Sequence, residues 1–176
     1  GGEIGVDSEE GSGSRFWSTV SLESAATEES AAPEAPRPIL RQSTRILIVE
    51  DNPINRLVLG RMLERFGAHA LVYAENGEEA LVRCAETDFE LIFMDARMPK
   101  LDGIATTQAL RADGNKAYII GVSADAMSEE RQAALDAGMN DYVVKPVARE
   151  ALAEAIQRWR QILIAAHHAG QGNGES

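Results

Sequence analysis

Four short apolar runs constrain the fold of this chain more than any other feature. They are Ile46-Leu47-Ile48-Val49, Leu91-Ile92-Phe93-Met94, Ile119-Ile120-Gly121-Val122 and Tyr142-Val143-Val144. None alternates apolar with polar residues, so each reads as a strand buried on both faces, which is the pattern of a parallel sheet. Each also ends on a chemically useful group: Glu50-Asp51, Asp95, Ser123 and Lys145-Pro146 in turn. Open parallel sheets bind their ligands outside the carboxyl ends of the strands. The spacing therefore predicts that three acids, a hydroxyl and a lysine meet along one edge.

Helix signals separate these runs. Asn52 and Pro53 open a helix that Gly67 closes, Asn76 caps one over about 77–87, and Asp102-Gly103 begins one that fades by Asp113-Gly114. Further helices are expected over about 128–137 and 148–166. The strands are expected at about 45–50, 69–74, 90–94, 117–122 and 141–145. Five βα units in succession imply an α/β fold, a doubly wound five-stranded parallel sheet with right-handed crossovers.

Before this array, residues 23–44 are rich in Glu, Ser, Ala and Pro and read as a flexible linker. Residues 1–22 hold two strand-like runs, Glu3–Asp7 and Arg15–Ser21, around a Gly-Ser turn, which is a hairpin pattern. Residues 167–176 are expected to fray. The main domain is thus placed at 45–166.

The formal net charge is -11, which argues against a nucleic-acid groove, since phosphate binding needs clustered positive charge. Cys84 is the one cysteine, so there is neither a disulfide framework nor a thiolate metal site; it reads as a small apolar helix residue. No apolar stretch approaches the roughly 20 residues that span a bilayer, and the start lacks a signal-peptide pattern. A cytoplasmic, monomeric chain without direct membrane contact is expected.

Taken singly, the strand-end residues say little: acid pairs often sit in solvated turns, hydroxyls often cap, and Lys-Pro is common. An acid ending a run as apolar as Leu91–Met94, however, is costly to desolvate unless a cation offsets it. Paired acids nearby suit Mg²⁺, which prefers carboxylate and water oxygens.

In combination and in order, Ile48-Val49-Glu50-Asp51-Asn52, Met94-Asp95-Ala96-Arg97-Met98-Pro99-Lys100-Leu101-Asp102-Gly103, Val122-Ser123-Ala124 and Asp141-Tyr142-Val143-Val144-Lys145-Pro146 resemble the receiver domain of two-component signalling, with its flavodoxin-like (βα)5 fold. The likeness spans about 45–162. It implies that Asp95 is the phosphoacceptor, attacking the phosphorus of a phosphohistidine to form an acyl phosphate. It implies Mg²⁺ held by Glu50, Asp51, Asp95 and the backbone carbonyl of Arg97, with Glu50 acting through water. Lys145, Ser123 and the Ala124 backbone N–H would contact the phosphoryl oxygens, and the Lys145–Pro146 bond would be cis. Ser123 and Tyr142 would form the switch, with Tyr142 turning inward once Asp95 is phosphorylated. Arg97 and Asp125 depart from the usual pattern and would pair across the site mouth to slow dephosphorylation. Ile54 and Leu57 on the first helix would form the docking surface for a histidine-bearing helix; Val58, Met62 and Phe66 show core-like spacing.

Residues 1–22 resemble the terminal hairpin of a histidine-kinase ATP-binding domain, so the layout is that of a hybrid sensor histidine kinase. There is no histidine-bearing phosphoacceptor helix and no nucleotide pocket; His69, His167 and His168 read as structural or surface residues. The chain would then catalyse only its own aspartyl phosphorylation and dephosphorylation, within a parent protein-histidine kinase. Expected partners are that kinase's dimerisation and phosphoacceptor domain and a histidine phosphotransfer protein. A degenerate receiver that only binds proteins remains the alternative. A haloacid-dehalogenase-type phosphatase would need a second Asp where Arg97 stands.

Overall fold

A computed structural model of the chain describes residues 3–9, 13–19, 39–124 and 128–171. They fall into two units, Gly1–Ala35 and Pro36–Ser176. In the first, β1 (Ile4–Glu9) pairs antiparallel with β2 (Gly13–Ser18), in a register running from Ile4 opposite Ser18 to Glu9 opposite Gly13. Ile4, Val6, Phe16 and Trp17 are all exposed on it.

The second unit carries β3 (Arg45–Val49), α1 (Pro53–Arg65), β4 (Ala70–Ala74), α2 (Gly77–Glu86), β5 (Leu91–Asp95), α3 (Gly103–Ala112), β6 (Tyr118–Ser123), α4 (Ser128–Asp136), β7 (Asp141–Val144) and α5 (Arg149–Gln171). All its strands run parallel, in the order β4-β3-β5-β6-β7. This is the expected five-stranded doubly wound sheet. The apolar runs are buried on both faces because successive side chains point to opposite sides. Ile46, Ile48, Leu91, Phe93, Ile120 and Val122 meet α1 and α5 through Leu59, Leu63, Leu152, Ile156 and Trp159. Their alternates Leu47, Val49, Ile92, Met94 and Ile119 meet α2, α3 and α4 through Ala80, Leu110 and Ala134.

Local chemistry starts and stops the helices where sequence places them. The Asn52 side-chain oxygen accepts from the Ile54 and Asn55 amides at 2.9 and 3.3 Å, ahead of Pro53 at the first helical position. At the far end Gly67 takes φ 97°, so the Gly67 and Ala68 amides reach back to the Glu64 and Leu63 carbonyls, each at 3.0 Å. Asn76 and Asp102 cap α2 and α3 in the same way.

The structure departs from expectation at the domain edges. Residues 39–44, assigned to the linker, pack on the second unit. The Ile39 and Leu40 amides both donate to the Phe66 carbonyl at 2.9 Å, and Leu40 and Thr44 are buried. At the other end α5 continues to Gln171, beyond the expected limit at 166. In α1, Val58 is half exposed, whereas Leu59, Leu63 and Phe66 are buried and Met62 is partly so. Replacing Leu40 with Ala should cost about 2–5 kcal/mol in urea unfolding, the range for truncating a buried leucine; a true linker position would change stability by less than about 0.5 kcal/mol.

Candidate active site

Strand order brings the reactive residues together. β3 lies between β4 and β5, so the winding reverses there and leaves a crevice at the carboxyl edge. Glu50 and Asp51 follow β3, and Asp95 ends β5 beside them. Ser123 ends β6, and Lys145 follows β7, its amide donating to the Ser123 carbonyl at 2.7 Å. The Lys145–Pro146 bond is cis. Glu50, Asp95 and Ser123 are buried, while Asp51 is exposed.

One ammonium serves two carboxylates. Lys145 Nζ lies 2.7 Å from Asp95 Oδ2 and 2.7 Å from Glu50 Oε2. The other Asp95 oxygen, Oδ1, accepts from the Arg97 amide at 3.1 Å, and Glu50 Oε1 accepts from Asn55 Nδ2 at 3.0 Å. Arg56 braces the same turn, donating to the Glu50 carbonyl at 2.8 Å and to Glu75 Oε1 at 2.9 Å. Burial pushes the Asp95 carboxyl above its usual pKa, and the charge of Glu50 adds to the rise against the hydrogen bonds from Lys145 and Arg97. Burial works against the Lys145 ammonium, yet the hydrogen bonds and charges of Asp95 and Glu50 outweigh it and hold its pKa above the ordinary lysine value.

Adding Asp51 leaves the site short of positive charge. The ligand oxygens of Glu50, Asp51 and Asp95 all lie within 4.8 Å of one another. They are hard oxygen donors without a histidine or thiolate among them, and such a set fits Mg²⁺ rather than zinc. Sterics support the same pocket: a Cβ at Gly103 would collide with the Asp95 carbonyl oxygen, so the absence of a side chain there lets α3 start against β5.

Glu130, on α4, is a residue that sequence reasoning missed. Its Oε2 accepts from Ser123 Oγ at 2.8 Å, its Oε1 from Arg97 Nε at 2.7 Å, and Tyr142 also hydrogen-bonds to it. Burial raises the Glu130 pKa, but the bonds from Arg97, Ser123 and Tyr142 outweigh it and leave the carboxyl below its usual range. Tyr142 was expected to turn inward on activation; here it is already buried at the edge of the core that includes Met139. Ala124 is exposed just past Ser123, and Asp125, the expected partner of Arg97, lies outside the described residues. Ile54 and Leu57 are exposed on α1, so they are surface rather than core. Asn55, Arg56 and Glu130 carry no sequence signal, because each acts through a contact that only the tertiary fold creates.

Comparison with known proteins settles the family. Residues 46–157 match the response regulator receiver domain. The chain belongs to the receiver family. It is 34% identical over 143 residues to a sensor histidine kinase, GacS, of Pseudomonas protegens, a match over 78% of this chain and 16% of that protein. The chain thus spans about a sixth of that relative's length. Among solved structures, the receiver domain of a Pseudomonas aeruginosa sensor histidine kinase, with magnesium coordinated in its active-site cleft, superposes with a TM-score of 0.61 at 38% identity. That match covers 66% of this chain and 96% of that one. A second is a Saccharomyces cerevisiae response-regulator receiver in co-crystal with its histidine phosphotransfer protein. It gives a TM-score of 0.62 at 33% identity over 68% of this chain and 90% of that one.

In this receiver, Lys145→Met should lower stability by about 3 kcal/mol at neutral pH without divalent cations, because it strands two buried carboxylates. Urea unfolding followed by circular dichroism measures the loss.

Proposed function

We propose that Asp95 accepts a phosphoryl group from a phosphohistidine of a histidine kinase and passes it to a histidine phosphotransfer protein. The observation that carries this reading is the buried Asp95 carboxylate, fixed between the Lys145 ammonium and the Arg97 amide, with Glu50 and Asp51 alongside. An Asp95 oxygen attacks phosphorus, the phosphorus–oxygen bond of an acyl phosphate forms, and the phosphorus–nitrogen bond breaks. Its electron pair stays on the imidazole, which is protonated as the donor departs. Positioning and charge neutralisation carry most of such a transfer.

Glu50, Asp51, Asp95 and the Arg97 carbonyl would hold Mg²⁺, Glu50 through a water. Mg²⁺ supplies positive charge that lets an anionic nucleophile approach an anionic phosphoryl group. Lys145 holds one phosphoryl oxygen as an ammonium, Ser123 donates to another, and the Ala124 amide serves the third. The small Ala124 side chain leaves room for a bulky protein donor.

The similarity to sensor kinases and the antiparallel pairing of β1 with β2 support reading residues 1–22 as the terminal hairpin of a kinase ATP-binding domain. The parent would be a hybrid histidine kinase with this receiver in the cytoplasm. Among the described residues no helix is long and apolar enough to cross a membrane.

Incubation with acetyl phosphate should add one phosphoryl group in intact-mass analysis, only when Mg²⁺ is present and not in Asp95→Ala. Failure of the wild-type chain to take phosphate from either acetyl phosphate or a phosphorylated kinase would leave a protein-binding module instead. The exposure of Ile54 and Leu57 supports reading this face of α1 as the docking surface. A Leu57→Glu variant should keep its acetyl-phosphate reaction while transfer to or from a histidine protein falls at least tenfold; unchanged transfer removes this surface.

A further inference from the structure

Ser123 is the hydroxyl that the proposed reaction needs on a phosphoryl oxygen, yet in this structure it serves Glu130 instead. An ionised carboxylate can only accept, so the 2.8 Å contact spends the one Ser123 hydroxyl proton on Glu130 Oε2. The same carboxylate takes Arg97 Nε at 2.7 Å and the Tyr142 hydroxyl. Its side chain is 14% exposed, so its bond from Ser123 is partly shielded from water, whereas the Arg97 side chain is 72% exposed. One group on α4 therefore gathers the proposed switch residues Ser123 and Tyr142 together with the arginine two positions past Asp95.

We infer that Glu130 is a latch for the unphosphorylated state, competing with the phosphoryl group for the Ser123 proton. The inference rests on the phosphoacceptor reading of Asp95 and adds what holds the resting state. A phosphoryl group on Asp95 brings roughly -1.5 to -2 of charge and three acceptor oxygens. It draws the Ser123 hydroxyl toward Asp95 and leaves Glu130 with one donor fewer. The Ser123–Glu130 bond that ties the first turn of α4 to β6 is then released, and the carboxylate that also bonds Tyr142 is freed to move. Phosphorylation is read out at α4 because the two acceptors cannot share one proton. Reciprocity follows: whatever holds Glu130 on Ser123 weakens the phosphorylated state by the same factor.

The test uses the full chain with Mg²⁺ and beryllofluoride, a tetrahedral stand-in for a phosphoryl group on a carboxylate, its binding followed by fluorine resonance. Removing the competitor should tighten beryllofluoride binding about five- to tenfold in Glu130→Ala, with Glu130→Gln in between because a neutral amide oxygen accepts more weakly. In a Ser123→Ala background the Glu130 substitutions should have no effect, which a purely structural role for Glu130 would not produce. Equal affinity in wild type, Glu130→Gln and Glu130→Ala would overturn the latch, as would a gain that persists without the Ser123 hydroxyl. Wild-type protein that binds no beryllofluoride would overturn the phosphoacceptor reading and take the latch with it, an outcome distinct from the other two.

Discussion

The pairing of one lysine with two buried carboxylates is the constraint on which the rest of this receiver depends. Lys145 reaches Glu50 and Asp95 only because β7, β3 and β5 stop at the same edge, and the flanking sheet keeps water from both acids. Desolvation makes the arrangement costly and therefore specific: each carboxylate oxygen not on the lysine has found an amide donor, Asn55 for Glu50 and the Arg97 backbone for Asp95. Removing any one of these leaves a charge that the interior cannot solvate. The imbalance of negative charge that persists, with Asp51 added at the rim, gives the edge the donor set that a hard divalent cation prefers.

The core serves that edge. Alternate residues of each central strand face α1 and α5 on one side and α2, α3 and α4 on the other, so the strands cannot slip without exchanging both layers at once. Rigid strand ends place Asp95 and Ser123 with little freedom. The more adjustable chemistry sits on the helix side, where Glu130 and Arg97 approach from α4 and the β5–α3 turn. A fixed carboxylate beside an exchangeable hydrogen-bond network is a physical basis for signalling by charge.

Much of this could be read from the chain before its structure, and the successes and failures have physical causes. Continuous apolar runs flanked by Asn, Pro and Gly leave few alternatives to buried parallel strands, and the strand-end residues then follow from topology. Helix phase was harder: Leu57, Val58 and Leu59 are consecutive, so spacing alone could not say whether 58 and 62 or 59 and 63 face the sheet. Packing chose the latter. Ile39 and Leu40 were absorbed into the linker because two apolar residues between prolines and a polar Arg-Gln-Ser-Thr stretch show no periodicity; their anchor, the Phe66 carbonyl, is remote in sequence. Glu130 looks like an ordinary acid in a helical first turn, which suits the helix dipole, and only its approach to Ser123 distinguishes it. The roles of Asp95, Asp51 and the Arg97 carbonyl came from resemblance, because a metal set and a phosphoacceptor are recognised by a combination of motifs rather than by any one residue.

The tryptophans divide between the two units. Trp159 is buried on α5 against the sheet, whereas Trp17 is exposed on β2. With two tryptophans in the chain, the native fluorescence has one shielded indole, emitting to the blue, and one hydrated indole, emitting to the red. The receiver core thus carries its own optical label, spectrally separable from the hairpin, and its folding can be followed without adding a dye.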